Sequence, residues 1–162
     1  MFPADLLALA ASVLEAARAQ NLRLATAESC TGGLIAGCLT AIPGSSDVVD
    51  RGFVTYSDRA KIDLLGVPAA LIEKHGAVSE QVARAMAEGA LIRADIELAV
   101  SCSGVAGPGG RTATKPVGRV YIAAAREGRA TIARECDFGD IGRDEVREKS
   151  VEAALTLLQR LM

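Results

Sequence analysis

Apolar positions along the chain change their spacing repeatedly, and each change marks the boundary of an element. Residues 3–20 carry Leu6, Ala10, Val13, Leu14 and Ala17 at helical spacing, with charged residues such as Asp5, Glu15 and Arg18 between them, which predicts an amphipathic helix. A short apolar run at 22–27 predicts a strand, and 31–41 returns to helical spacing. The turn Ile42-Pro43-Gly44-Ser45-Ser46 precedes a strand predicted over 47–56. Helices are predicted over 58–65, 69–74 and 79–93, the last with Ser79 as its N-cap.

The run 96–103 is continuously apolar and predicts a strand buried on both faces. Strands at 117–126 and 130–137 flank Glu127-Gly128-Arg129 and predict a hairpin. A closing helix over 144–161 presents the stripe Val151, Ala154, Leu155, Leu158 and Leu161. Helices alternating with strands at the front and a hairpin at the back predict one α/β domain over residues 1–162. Its architecture is three-layer α/β/α, with a mixed, mostly parallel sheet, a C-terminal β-hairpin and a closing helix.

Composition narrows the class. Half of the 162 residues are hydrophobic but only 3% are aromatic, so the core is built from Ala, Val, Leu and Ile. The formal net charge is −2 with no basic cluster, which argues against a nucleic-acid partner. The apolar N-terminal segment carries charges and has no basic leader, so neither a signal peptide nor a membrane partner is expected, and the location is expected to be cytoplasmic. Cys30, Cys38, Cys102 and Cys136 form no C-x-x-C pair, and His75 is the only histidine. Free thiols and no metal site are expected. The apolar helices predict a homo-oligomer.

Chemistry concentrates in three segments, each after a predicted strand. In open α/β sheets, ligands sit at the carboxyl ends of strands. The first segment is Glu28-Ser29-Cys30-Thr31-Gly32-Gly33. Ser29 suits a helix cap or a nucleophile. Glu28 suits a solvated first-turn carboxylate or a buried acceptor. The helix start with its glycines suits an anion. Cys30 is a competing nucleophile, but His75, the only histidine able to activate it, lies at a predicted helix end.

The second segment, Tyr56-Ser57-Asp58-Arg59-Ala60-Lys61, offers Ser57 or Asp58 as a helix cap and Lys61 as a base. An ordinary lysine pKa is about 10.4, so accepting a serine proton near pH 7 needs about 4 kcal/mol of bias toward the free amine. An apolar pocket supplies bias in that direction, and Tyr56 offers a hydroxyl for proton relay. The third segment, Ser103-Gly104-Val105-Ala106-Gly107-Pro108-Gly109-Gly110, suits backbone N–H groups facing an anion or an oxyanion.

Together these segments resemble the CinA C-terminal domain family. The matching pieces are Ala27 through Gly33, Gly52-Phe53-Val54-Thr55-Tyr56-Ser57 with Lys61, Gly76-Ala77-Val78-Ser79, Ser103 through Pro108, and Lys115-Pro116-Val117-Gly118. They occur in family order and cover nearly the whole chain.

The resemblance implies a free-standing nicotinamide-nucleotide amidohydrolase of pyridine-nucleotide salvage. It would convert the carboxamide of nicotinamide mononucleotide into a carboxylate and ammonia, with no cofactor and a metal-free serine–lysine mechanism. By position, Ser29 is the nucleophile, Lys61 its base and Tyr56 an assisting hydroxyl. Glu28, Thr31, Gly32 and Gly33 are expected to shape the substrate site. Gly104, Gly107, Gly109 and Gly110 are expected to hold the small-molecule nucleotide, with Arg143 as a phosphate clamp and Arg147 as its rival. A thiol amidase using Cys30 and a non-enzymatic nucleotide-binding module are the alternatives.

Two departures stand out. Arg111 occupies the place of the second glycine in the family's Gly-Pro-x-Gly-Gly loop. Gly139-Asp140-Ile141-Gly142-Arg143 interrupts the family's Gly-Asp-Arg.

Overall fold

The computed structural model describes residues 1–162. Six helices and five strands alternate as α1 (Ala4–Ala19), β1 (Leu24–Glu28), α2 (Leu34–Thr40), β2 (Val49–Val54), α3 (Asp58–Leu65), α4 (Ala69–His75), α5 (Glu80–Ala94), β3 (Leu98–Gly104), β4 (Arg119–Arg126), β5 (Ile132–Asp137) and α6 (Arg143–Leu161). The sheet order is β2-β1-β3-β4-β5. β1 pairs in parallel with both β2 and β3, while β4 pairs antiparallel with β3 and β5. Four of the five strands therefore point the same way, and the expected mixed sheet with a C-terminal hairpin is present.

Strand alternation sorts large side chains to one face of the sheet and small ones to the other. Leu24, Leu98, Val100, Val120 and Ile122 face α1, α2 and α6. Each residue of the stripe predicted for α1 is buried there, as is each residue of the stripe predicted for α6. On the opposite face, Ala27 and Ala99 meet Val82, Met86 and Ala90 of α5, and Ala123 and Ala125 meet Ala83 and Ala87. Alanine on both surfaces lets α5 lie close against the sheet. Gly89 of α5 extends the same logic outward, since a Cβ there would run into the carbonyl oxygen of Leu65 at the end of α3.

Most boundaries move by one or two residues from their predicted places. The largest change is at 31–33, which was expected to be helical and is a turn. Gly32 and Gly33 take positive φ, +60° and +99°, and α2 begins only at Leu34. β2 is an edge strand, largely exposed, and shorter at both ends than predicted. Ser57 caps α3 by accepting from Ala60 N–H at 3.1 Å, and Ser79 caps α5 by accepting from Val82 N–H at 3.3 Å.

Gly89→Ala is expected to destabilise the fold by about 1–3 kcal/mol, although alanine favours a helix by about 1 kcal/mol over glycine. The obstruction is backbone, so α3 and α5 must separate to admit the methyl group. The urea midpoint reads this directly, and an unchanged or higher midpoint would show that the two helices give way freely.

Candidate active site

The three segments meet at the carboxyl ends of β1, β2 and β3, around a cavity of about 510 Å³. Its wall includes Ser29, Tyr56, Lys61 and Arg143, the apolar Ala77, Val78, Val105 and Ala106, and the glycines 104, 107, 109 and 110. This volume lies within the range of small-molecule sites.

The ends of the strands are tied together by main-chain hydrogen bonds. Ser29 N–H donates to the Cys102 carbonyl at 2.9 Å, and Thr55 N–H donates to the Glu28 carbonyl at 2.8 Å. These bonds fix Ser29 against the central strand β3 and fix the start of the β2–α3 connection against β1. α3 then turns Lys61 back toward the strand ends. Its Nζ lies 3.1 Å from Ser29 Oγ and 2.9 Å from the Thr55 carbonyl.

Lys61 is only 1% exposed and stands in no ion pair. Burial lowers its pKa from the ordinary lysine value, opposed by the nearby charges of Asp58 and Cys30. Lys61 Nζ donates both to the Ser29 hydroxyl oxygen and to the Thr55 carbonyl.

Glu28 does not join this wall. It is fully buried and is the acceptor for the turn that follows β1. Its carboxylate accepts from the N–H groups of Gly33 (3.0 Å), Ile35 (3.0 Å) and Ala36 (2.9 Å), and from the Thr26 hydroxyl (3.1 Å). The donors at the start of α2 are therefore occupied, which corrects the expectation that this helix start receives a substrate anion. Thr31, Gly32 and Gly33 are likewise absent from the cavity wall. Thr31 is buried, Gly32 lies beside the Arg147 guanidinium, and Gly33 gives its N–H to Glu28. All four residues shape the turn carrying Ser29 instead of lining the cavity. The Thr31 N–H donates to no main-chain or side-chain acceptor, and the Cys30 N–H is directed to its own sulfur.

The two arginines divide their roles. Arg143, the first residue of α6, reaches across the cavity mouth. It donates to the Gly107 carbonyl at 2.7 Å and to the Tyr56 hydroxyl at 3.1 Å. Tyr56 is 62% exposed, and its hydroxyl contact is with Arg143, not with Ser29 or Lys61. Arg147, one helical turn later, donates to the carbonyls of Cys30 at 3.2 Å and Thr31 at 3.0 Å. It clamps the turn carrying Ser29 from behind, a role that its spacing from Arg143 alone does not reveal.

Both departures from the family pattern find a structural account. Gly110 takes φ +82°, while Arg111 is not among the non-glycine residues with positive φ, so the loop passes through position 111 without requiring glycine. Gly142 takes φ +100° immediately before α6, and Arg143 follows it into the site. Asp58 and Ser103, absent from the sequence-based site, also line the cavity.

Cys30 touches the cavity wall, but its sulfur lies in the core, 3.6 Å from that of Cys102. His75 is the last residue of α4 and gives its carbonyl to Lys115 Nζ at 2.6 Å. The only histidine therefore stands at a helix end, as its place in the sequence predicts. No group of three or more His, Cys, Asp or Glu side chains is arranged to hold a metal ion, and no helix is long and apolar enough to cross a membrane.

Comparison with known proteins agrees with this architecture. A crystal structure of a competence/damage inducible protein, CihA, from Agrobacterium tumefaciens superposes with a TM-score of 0.97 at 49% identity, covering 99% of this chain and 98% of that one. A CinA superfamily protein from Escherichia coli superposes with a TM-score of 0.90 at 36% identity, covering 95% and 88%. A CinA-like protein of Akkermansia muciniphila is 57% identical over 112 residues, 69% of this chain and 27% of that protein. The chain spans about a third of the length of the curated relatives it matches. The model of the CinA C-terminal domain matches residues 6–162, and the chain belongs to that family.

Proposed function

We propose that the protein is an amidohydrolase that converts the carboxamide of nicotinamide mononucleotide to a carboxylate, releasing ammonia. The observation that carries this reading is the 3.1 Å approach of Lys61 Nζ to Ser29 Oγ inside a cavity. A buried lysine without a carboxylate partner favours its neutral form, and a neutral amine beside a serine hydroxyl is a base beside a nucleophile.

The rest of the wall suits a nucleotide amide. Ala77, Val78, Val105 and Ala106 offer an apolar surface to the pyridine ring. Arg143 and the loop 107–110 supply charge and N–H groups to a phosphate at the mouth. Ser29 Oγ attacks the carboxamide carbon as Lys61 takes the hydroxyl proton. Main-chain N–H groups of cavity-lining residues, that of Cys30 after Ser29 or those of Gly107, Gly109 and Gly110, receive the oxyanion. Collapse of the tetrahedral adduct expels ammonia, which takes its proton from Lys61. Water then attacks the acyl-serine with Lys61 again as base, giving the carboxylate and free Ser29.

Three results are expected. Ser29→Ala lowers ammonia release from nicotinamide mononucleotide by roughly 10³-fold or more, and equal turnover in the two proteins would refute the mechanism. Arg143→Ala raises KM for the mononucleotide by about 10–100-fold with a smaller change in kcat, the loss of a charge-assisted hydrogen bond to phosphate. An unchanged KM would remove Arg143 from the phosphate site.

The third is a pH dependence. The unfolded chain holds the Lys61 proton up to about pH 10.4, and the folded chain releases it at a lower pH. Between those values the unfolded state binds more protons, so this residue's contribution to stability rises with pH. The stability of wild type relative to Lys61→Met is therefore expected to increase across that window in urea titrations. The rate with wild type follows the same deprotonation, rising with pH and levelling off below the ordinary lysine value.

A further inference from the structure

Cys30 and Cys102 stand outside the proposed reaction, yet they form a close pair of thiols directly beneath its nucleophile. Their sulfurs are 3.6 Å apart. Cys102 is fully buried in β3 at the centre of the sheet, with Glu28 opposite it on β1 and Ile122 opposite it on β4. Cys30 follows Ser29 in the turn and is a residue of the cavity wall, whereas Cys102 is not, so Cys30 is the thiol nearer to a small solute in the cavity.

The other two cysteines lack this arrangement. Cys38 points from α2 toward the Leu6 carbonyl at 3.9 Å, and burial pushes its thiol up to about 11. Cys136 lies on the edge strand β5. For Cys30, the contact with Cys102 is the leading influence and holds the thiol below its ordinary value, while burial works in the opposite direction. The same contact and burial raise the thiol of Cys102.

We propose that Cys30 and Cys102 are a peroxide-sensitive pair, whose reversible disulfide draws Ser29 out of proton-sharing reach of Lys61. Hydrogen peroxide is the oxidant. Cys30 sulfur attacks one peroxide oxygen, the O–O bond breaks, and one water leaves as Cys30 becomes a sulfenic acid. Cys102 sulfur then attacks Cys30 sulfur, the S–O bond breaks, and a second water leaves. In total, two thiols and one peroxide give one disulfide and two waters. The sulfurs are oxidised and the peroxide oxygens reduced. A dithiol reverses the step by exchange and is itself oxidised to a disulfide.

A disulfide is about 2.05 Å long, so the sulfurs must close by about 1.5 Å from the separation observed. Cys102 is held between two strand partners, so the movement falls on the turn carrying Cys30. Arg147 grips the carbonyls of Cys30 and Thr31, and Ser29 is the next residue back along the chain. The formation of the bond does not depend on the amidohydrolase reading, whereas its effect on turnover does.

The test treats the reduced protein with hydrogen peroxide, blocks remaining thiols and maps the peptides by mass spectrometry. The expected product is lighter by two hydrogen atoms, with the peptide 24–51 joined to 94–111. This link is kept in Cys38→Ala and lost in Cys30→Ala. Ammonia release from nicotinamide mononucleotide falls by about 10²-fold, as for a misplaced reacting group, and dithiothreitol restores it. In Cys102→Ala the same treatment carries Cys30 beyond the sulfenic acid, and dithiothreitol no longer restores turnover.

Sulfinic or sulfonic acid on wild-type Cys30 without a link, or a link through Cys38, would overturn the proposal. A correct link with unchanged turnover would overturn its effect on Ser29. Untreated protein that releases no ammonia would refute the amidohydrolase reading, while peptide mapping would still decide the cysteine pair.

Discussion

A single buried carboxylate organises the end of this sheet that carries the cavity. Glu28 is the last residue of β1 and cannot reach water. Burying a carboxylate is unfavourable unless donors replace its hydration. Here three main-chain N–H groups and one hydroxyl do so. The consequence is geometric, because the chain from 29 to 33 must curl back to bring the start of α2 onto the carboxylate. That curl needs the left-handed backbone of Gly32 and Gly33, and it leaves Ser29 at the cavity. The helix start that elementary electrostatics would offer to a substrate is instead satisfied from within.

The asymmetry of the sheet complements this constraint. Large side chains fill the space beneath α1, α2 and α6, whereas alanines allow α5 to settle close on the other face. α3 packs on α5 at Gly89, with no space for a side chain between them. Close packing on that face fixes the position of α3, and α3 carries Lys61. A long, flexible amine thus meets Ser29 in one arrangement, held by the Thr55 carbonyl and by a main chain stitched to β1. The entropy lost in ordering such a side chain is substantial, and the lowered pKa reflects the further cost of enclosing a cation. Both are understandable where a neutral amine is the useful species.

Most of the fold was legible because the governing patterns are local. Helical and strand spacing placed every main element, and Ser57 and Ser79 marked two helix starts by the residue type that caps them. Segments expected at strand ends do meet, since parallel strands bring their carboxyl ends to one edge. Less legible was the partner chosen by each polar group. Glu28 and Thr31 sit in the family motif beside Ser29, yet one is an internal acceptor and the other is buried. No local pattern distinguishes a carboxylate facing a ligand from one facing its own main chain. Tyr56 likewise carried no sign that its hydroxyl would meet Arg143, 87 positions later.

The arginine pair shows how one helix can reach both the cavity mouth and the turn bearing Ser29. Residues four apart lie on the same face of an α-helix. On α6, Arg143 faces the cavity mouth and Arg147 the turn bearing Ser29. Neither guanidinium stands in an ion pair, so each directs its donors to main-chain carbonyls or a phenol. An anion at the mouth would compete for the donors of Arg143 without disturbing those of Arg147. The helix between them is anchored in the core by Val146, Ser150 and Val151, so a pull on one end is resisted by packing. An anion held there can therefore rearrange the contact among Arg143, Tyr56 and Gly107 while the turn bearing Ser29 stays in place. Under the proposed reaction, that separation keeps binding energy at a distant phosphate from displacing the serine from its base.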